Sequence, residues 1–291
     1  MHKKQMSALL GYGGVLLSAV IFGFTPVLAA LSYQGGNNGV NMAFLRALLP
    51  LPVLYLLARR CGDAPSFSQR KTGAVLGALL FGCTLLLYSS YAYLSVGLAT
   101  TLHFMYPLYV ALFEKLVQHR HLGRARVAGL VIAMAGMVLL LDMSDGGMNP
   151  IGLLLAGLSG VCYGGYIIVL GREAKDPMPL YRLMFEVSRA GAVLCAAVGL
   201  AMGRLTLALS GAAWGYAVCV AMLAAIVGCV LFQAGVRIVG KSNAAIFSLL
   251  EPVTSIIFSI LLMGDSLSLI KLMGCALIIG GLGVTTLHKR A

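Results

Sequence analysis

The chain of 291 residues is 60% hydrophobic and only 10% charged, against about 25% charged residues in ordinary soluble domains. A soluble fold could not hide that much apolar surface. The formal net charge of +12 would suggest a nucleic-acid partner in a soluble protein, but an apolar chain has to be read against a membrane first.

A helix crosses a hydrocarbon core about 30 Å thick with about 20 apolar residues, because each residue rises about 1.5 Å. The first such run, 9–31, follows Lys3 and Lys4 as a signal peptide would, but it is long and has no small-residue cleavage site before Gln34, so it reads as a spanning helix. The second, 39–58, holds Arg46, with Pro50 and Pro52 as kink positions within it; the third, 73–93, carries Tyr88, Tyr91 and Tyr93. The fourth, 97–117, contains His103, Tyr106 and Pro107, and a basic stretch from Arg120 to Arg126 separates it from the fifth, 124–142. The sixth, 149–170, holds Tyr163 and Tyr166, and the seventh, 180–202, has Glu186 and Arg189 three apart on one face, where the side chains can pair. Runs at 213–236, with Gln233, at 243–263, with Glu251 and Pro252, and at 270–287 complete ten. All are continuously apolar, without the alternation of barrel strands, so the fold class is an all-α membrane protein.

With the N-terminus in the cytoplasm, 17 of the 21 Lys and Arg fall on cytoplasmic segments, Arg204 and Lys271 fall outside, and Arg46 and Arg189 lie within spans. This meets the positive-inside rule at every cytoplasmic loop, and ten spans return His288, Lys289 and Arg290 to the cytoplasm. The basic stretch at 120–126 then faces anionic lipid heads. The seven cysteines are scattered singly, mostly inside apolar runs; they show no metal or redox spacing and read as packing residues without a disulfide.

Residues 99–141 align without gaps on 244–286 at an offset of 145, matching Pro107 with Pro252, Gly129 with Gly274 and Gly136 with Gly281. Weaker echoes pair Ser18 and Gly23 with Ser159 and Gly164, and Arg46 with Arg189. Each repeat therefore holds five helices, 1–146 and 147–291. Five is odd, so the second copy enters the membrane from the opposite side, the inverted-repeat plan of carriers that alternate access around a midplane site. Each matched proline cannot donate to the carbonyl four residues back, which predicts free carbonyls at His103 and Ser248 and a break needing polar surroundings.

Several motifs resemble the drug/metabolite transporter superfamily, in its ten-helix type built from two EamA-like domains. They are Leu17-Ser18-Ala19-Val20-Ile21-Phe22-Gly23, Phe44-Leu45-Arg46, Gly97-Leu98-Ala99 leading to Tyr106-Pro107, Gly240-Lys241-Ser242-Asn243-Ala244-Ala245 leading to Leu250-Glu251-Pro252, and Met263-Gly264-Asp265. His119, Arg120 and His121 depart from the family's loop pattern. The resemblance covers nearly the whole chain. It implies a central cavity between the halves and transport by alternating access, with a small metabolite, amino-acid-like by preference and exported, as the solute.

An ionisable group inside a span costs about 2.5–3.5 kcal/mol on insertion scales, so Glu251, beside the helix-breaking Pro252, is the first candidate for binding a proton or a cationic group. The alternative is an interior carboxyl that stabilises the break. His103 stands on the matching segment and is either a solute contact or a satisfied interior histidine. Tyr106 lies beside it. The rings of Phe22, Tyr88, Tyr91, Tyr163 and Tyr166 fall on helices that resemble the family's cavity-lining ones, and Gln233 is a further polar group for solute contact or packing. Pro107, Pro252, Arg46, Glu186 and Arg189 read as gating or structural positions, with Arg46 equally able to bind an anionic group. No phosphate-cradling motif, metal spacing or nucleophile elbow is present, so the sequence predicts no cofactor, no nucleic-acid partner and no enzyme activity. An ion channel and a lipid flippase remain as alternatives. The expected setting is the inner cell membrane, as a monomer or homodimer, with lipid and a small-molecule substrate as partners.

Overall fold

A computed structural model describes residues 2–62, 64–90, 93–94, 96–119, 121–140, 149–173, 177–264 and 268–287. Tyr91, Arg120, Lys175, Asp265 and the terminal residues 288–291 lie outside them. The helices are α1 (His2–Tyr33), α2 (Gly39–Leu48), α3 (Leu51–Arg59), α4 (Phe67–Ser90), α5 (Val96–His103), α6 (Tyr106–Leu116), α7 (Arg124–Leu139), α8 (Pro150–Glu173), α9 (Leu180–Ala201), α10 (Gly211–Met222), α11 (Cys229–Val239), α12 (Lys241–Phe247), α13 (Leu250–Met263) and α14 (Leu269–Leu287).

Over its described residues every expected apolar run is mainly helical. Among the described residues seven continuous or nearly continuous segments have the length and apolarity to cross a membrane. The other three runs are α5 with α6, α7 and α14, and they are shorter or interrupted. Three runs are also broken, two of them at the matched prolines that predict a break. The second divides at Leu49–Pro50, where Pro50 caps α3. The fourth and ninth divide just before Tyr106-Pro107 and Glu251-Pro252, because a proline within the first turn of a helix loses no bond it would otherwise make. The Ser248 carbonyl is not free as expected: the Glu251 N–H donates to it at 2.9 Å in a tight turn, which satisfies the group without water.

The packing partners exchange between repeats. α1 lies against α10, α11 and α13, while its repeat counterpart α8 lies against α4, α5 and α6. α2 packs on its own counterpart α9, and α7 on its counterpart α14. The α7–α14 crossing also gives the relative direction. A Cβ on Gly129 would sit 2.5 Å from the Gly281 carbonyl, and one on Gly136 2.6 Å from the Gly274 carbonyl. Contacts in that order require the two equivalent helices to run antiparallel, so the repeats are inverted. Only glycine permits backbones this close.

Candidate functional site

A cavity of about 320 Å³ lies where α1, α2, α4 and α5 of the first repeat meet α8, α11 and α13 of the second. Its wall reaches Leu87, Tyr88 and Leu140 in the last turns of α4 and α7. At its deep end it stops at Tyr166 and Phe232, about two turns short of the ends of α8 and α11. Polar groups at those ends close the bundle. Arg237 holds Glu173 with its Nη2 at 2.9 Å from both carboxylate oxygens and donates to the Met178 carbonyl at 2.6 Å. Glu114 faces Arg126 at 3.5 Å and Lys241 at 3.9 Å. Arg182 donates to the carbonyls of Ala58 and Gly62, both at 2.7 Å.

Two charged side chains face the cavity, one from each repeat: Arg46 on α2 and Glu251 at the start of α13. They act on one another electrostatically, yet among the described residues no direct ion pair joins them. Arg46 shares its part of the wall with Tyr88 and Cys229. Its guanidinium stands 5.9 Å from the Phe22 ring centroid, within range for a cation–π contact. The structure thus orients the arginine whose direction the sequence left open.

His103 lines the wall but is only 8% exposed. Its Nδ1 is 3.1 Å from Ser159 Oγ, and that hydroxyl already donates to the Ala156 carbonyl at 2.7 Å. The Ser159 oxygen must therefore accept, which assigns the proton of a neutral ring to Nδ1 and leaves Nε2 as an acceptor. Around His103 the rings of Phe104 and Tyr163 lie at 5.4 Å and Tyr106 at 5.7 Å, and Tyr163 continues the stack to Tyr166 at 5.8 Å.

Of the residues singled out from the sequence, Phe22, Arg46, Tyr88, His103, Tyr163, Tyr166, Glu251 and Pro252 meet at this cavity. Tyr106 and Gln233 do not line it. Tyr106 is 0% exposed and packs edge-on behind Tyr163 at 4.6 Å. Gln233 is also fully buried and donates from Nε2 to the Tyr166 hydroxyl at 3.3 Å, so it supports the wall from behind. Polarity in an apolar span marks both kinds of position, which is why the sequence could not separate them. Pro107 stays on the buried side of its break. Arg189 turns away to pair with Glu186 at 2.5 Å.

The wall also contains Thr25, Cys83, Thr84, Cys229 and Phe232, which the sequence pattern does not single out. Two of the cysteines read as packing residues thus face the cavity, and all seven are free thiols. The eighth span widens into a π-helical turn, Leu223–Gly228, between α10 and α11. Such a turn admits one extra residue and re-aims the side chains beyond it, here Cys229 and Phe232. Gly228 lets α1 approach: a Cβ there would lie 2.8 Å from the Phe22 ring. Among the described residues, no three or more His, Cys, Asp and Glu side chains gather as a metal site would.

The sequence pattern of the EamA-like transporter family matches residues 9–142 and, a second time, 150–287. Among curated proteins the chain is similar to an uncharacterized transporter of Synechocystis, 24% identical over 97% of this chain and 94% of that protein. An uncharacterized transporter of Archaeoglobus fulgidus is 26% identical over 93% and 94% of the two chains, and the uncharacterized transporter YcbK of Bacillus subtilis is 23% identical over 94% and 92%. A crystal structure with 23% identity superposes with a TM-score of 0.78, covering 97% of this chain and 99% of the other, a likeness of fold.

Proposed function

The chain belongs to the EamA-like transporter family, and from that premise we propose that its cavity binds an amino-acid-like solute and carries it across the membrane by alternating access. The observation that carries this reading is the placement of Arg46 and Glu251 on opposite repeats, unpaired with each other, around one aromatic-walled cavity. A guanidinium is built to take a carboxylate in a two-pronged hydrogen bond, and a carboxylate at the far wall takes an ammonium. A zwitterion supplies both, and the rings of Phe22, Tyr88 and Tyr163 receive its side chain. The volume of about 320 Å³ suits a solute of that size.

Glu251 is also the proposed coupling group. It binds either the ammonium or a proton, so release of solute and uptake of a proton become alternatives at one carboxyl, the requirement for proton antiport and hence export. The cavity reaches the end of the bundle opposite the ion pairs Glu173–Arg237 and Glu114–Lys241. The excess of basic residues at the ion-paired end supports placing it, and both termini, in the cytoplasm of an inner membrane. The structure then corresponds to an outward-open state. All proposed site residues come from one chain, so the working unit is a monomer, or a homodimer of independent sites.

Uptake into proteoliposomes, tested with labelled amino acids, nucleobases and organic cations under an imposed pH gradient, decides the matter. Saturable, pH-driven flux of zwitterionic amino acids is expected, with Glu251→Gln losing the pH dependence. Large non-saturating ion currents would establish a channel, and movement of labelled phospholipid between leaflets without amino-acid flux would establish a flippase.

A further inference from the structure

A second hollow of about 560 Å³ lies on the outside of the bundle between α6 and α7 and shares no lining residue with the central cavity. Its floor is apolar and buried, formed by Ala111 and Leu130 with Ile246 of α12 beneath. Its sides include Leu112 and Val131, which are 42% and 61% exposed. Along α7 the hollow runs from Val127 to Met134, about 10 Å by helix rise and a third of a hydrocarbon core. At the end where α6 finishes and α7 begins, Lys115 and His121 line its mouth, and Arg124 opens α7.

The charges at this mouth differ from their neighbours. Arg126 and Lys241 neutralise Glu114, whereas among the described residues no ion pair involves Lys115, His121 or Arg124. The fold does not demand them. At the repeat offset of 145 the second half has Ile260, Ser266 and Leu269 in their places, while Leu122 is kept as Leu267. An apolar channel at membrane depth whose mouth holds Lys115 and His121, with Arg124 beside them, is complementary to one class of molecule, a lipid with an acyl tail and a negative headgroup.

We propose that this groove is a binding site for an anionic phospholipid, with an acyl chain on the Ala111–Leu130 floor and the phosphate at Lys115 and His121. The site ties the break before α6 to the lipid leaflet, since the bound chain lies against the helix that begins at Tyr106. It is separate from the solute cavity and does not depend on what that cavity carries.

Native mass spectrometry of the full chain, released from detergent with equal amounts of dioleoylphosphatidylglycerol and dioleoylphosphatidylcholine, tests the site. Wild type is expected to retain phosphatidylglycerol about fivefold better, and Lys115→Ala with His121→Ala to lower that preference about fivefold, the scale of the one lysine charge removed, to near parity. Val131→Trp, which fills the groove from an exposed position, should reduce retention of both lipids. Lys271→Ala at the opposite end of the bundle should change neither. Should the double alanine variant not elute as a folded monodisperse species, Lys115→Gln reads the loss of one charge alone. Equal retention of the two lipids by wild type, or unchanged phosphatidylglycerol retention in a folded Lys115 variant, overturns the proposal. So does displacement of the lipid by excess glycerol phosphate, which would mean headgroup binding without the groove.

Discussion

The two repeats share a scaffold and divide the chemistry. Arg46 of the first half enters the cavity, while its counterpart Arg189 pairs with Glu186 and leaves half of its own side chain, 51%, exposed. Position 106 of the first half is a buried tyrosine behind the wall; the matching position 251 is a carboxylate on it. Phe22 and Tyr163 are likewise equivalent, at the offset that pairs Ser18 with Ser159, and both face the cavity. α4 is a regular helix, and the span that answers to it carries the π turn at Leu223–Gly228. An inverted repeat therefore supplies two similar half-sites, and divergence leaves one cation on one half and one anion on the other. In a site with two arginines and two carboxylates the charges would pair among themselves.

The largest expected effect breaks what the repeats share. Gly129→Leu or Gly281→Leu puts a side chain into the facing backbone at the α7–α14 crossing, and membrane-inserted, monodisperse protein should be lost on gel filtration. The same change at Gly280, where a Cβ would meet nothing within 4 Å, should be tolerated. Next, Arg46→Met removes a charged hydrogen-bond donor worth about 1.5–3 kcal/mol or more. Solute binding measured by scintillation proximity should fall about a hundredfold, whereas Arg189→Met should leave affinity within about twofold and lower thermal stability by about 1 kcal/mol, since one partner is half exposed. Equal losses from the two arginines would remove the asymmetry argument.

Glu251→Gln is expected to weaken binding about tenfold, the scale of one charge-assisted bond, and to flatten the pH dependence of transport. Tyr106→Phe at the equivalent position should leave both within about twofold, because its hydroxyl is buried without a hydrogen bond. Smallest of all, Gln233→Leu takes the donor from Tyr166 but also removes the unpartnered Gln233 Oε1. The two effects oppose, and stability should change by less than about 1 kcal/mol in thermal melts.

Much of this was written in one dimension. Continuous apolar runs require helices in a membrane whatever their neighbours, the matched Pro107 and Pro252 mark paired breaks, and five spans per copy force the inversion that Gly129 and Gly281 display in space. Glu251 stood out because a carboxylate in an apolar span needs a reason. Burial, however, looks the same from sequence on either side of a wall: Tyr163 and Tyr106 are both tyrosines in apolar helices, and only packing puts one in the cavity and the other behind it. The π turn has no local signature, and its last residue, Gly228, packs against Phe22 of α1, a contact the sequence order does not show.

The sequence by itself determined the class of protein, the two inverted five-helix repeats and the place of the breaks, because hydrophobic length, charge and chain parity dictate them. Only the tertiary structure decided that Arg46 and not Arg189 shares the cavity with Glu251, and that Cys83, Cys229 and Phe232 complete the wall. Side-chain direction across a helix interface depends on what the neighbouring helix leaves room for, and that neighbour is more than a hundred residues away along the chain.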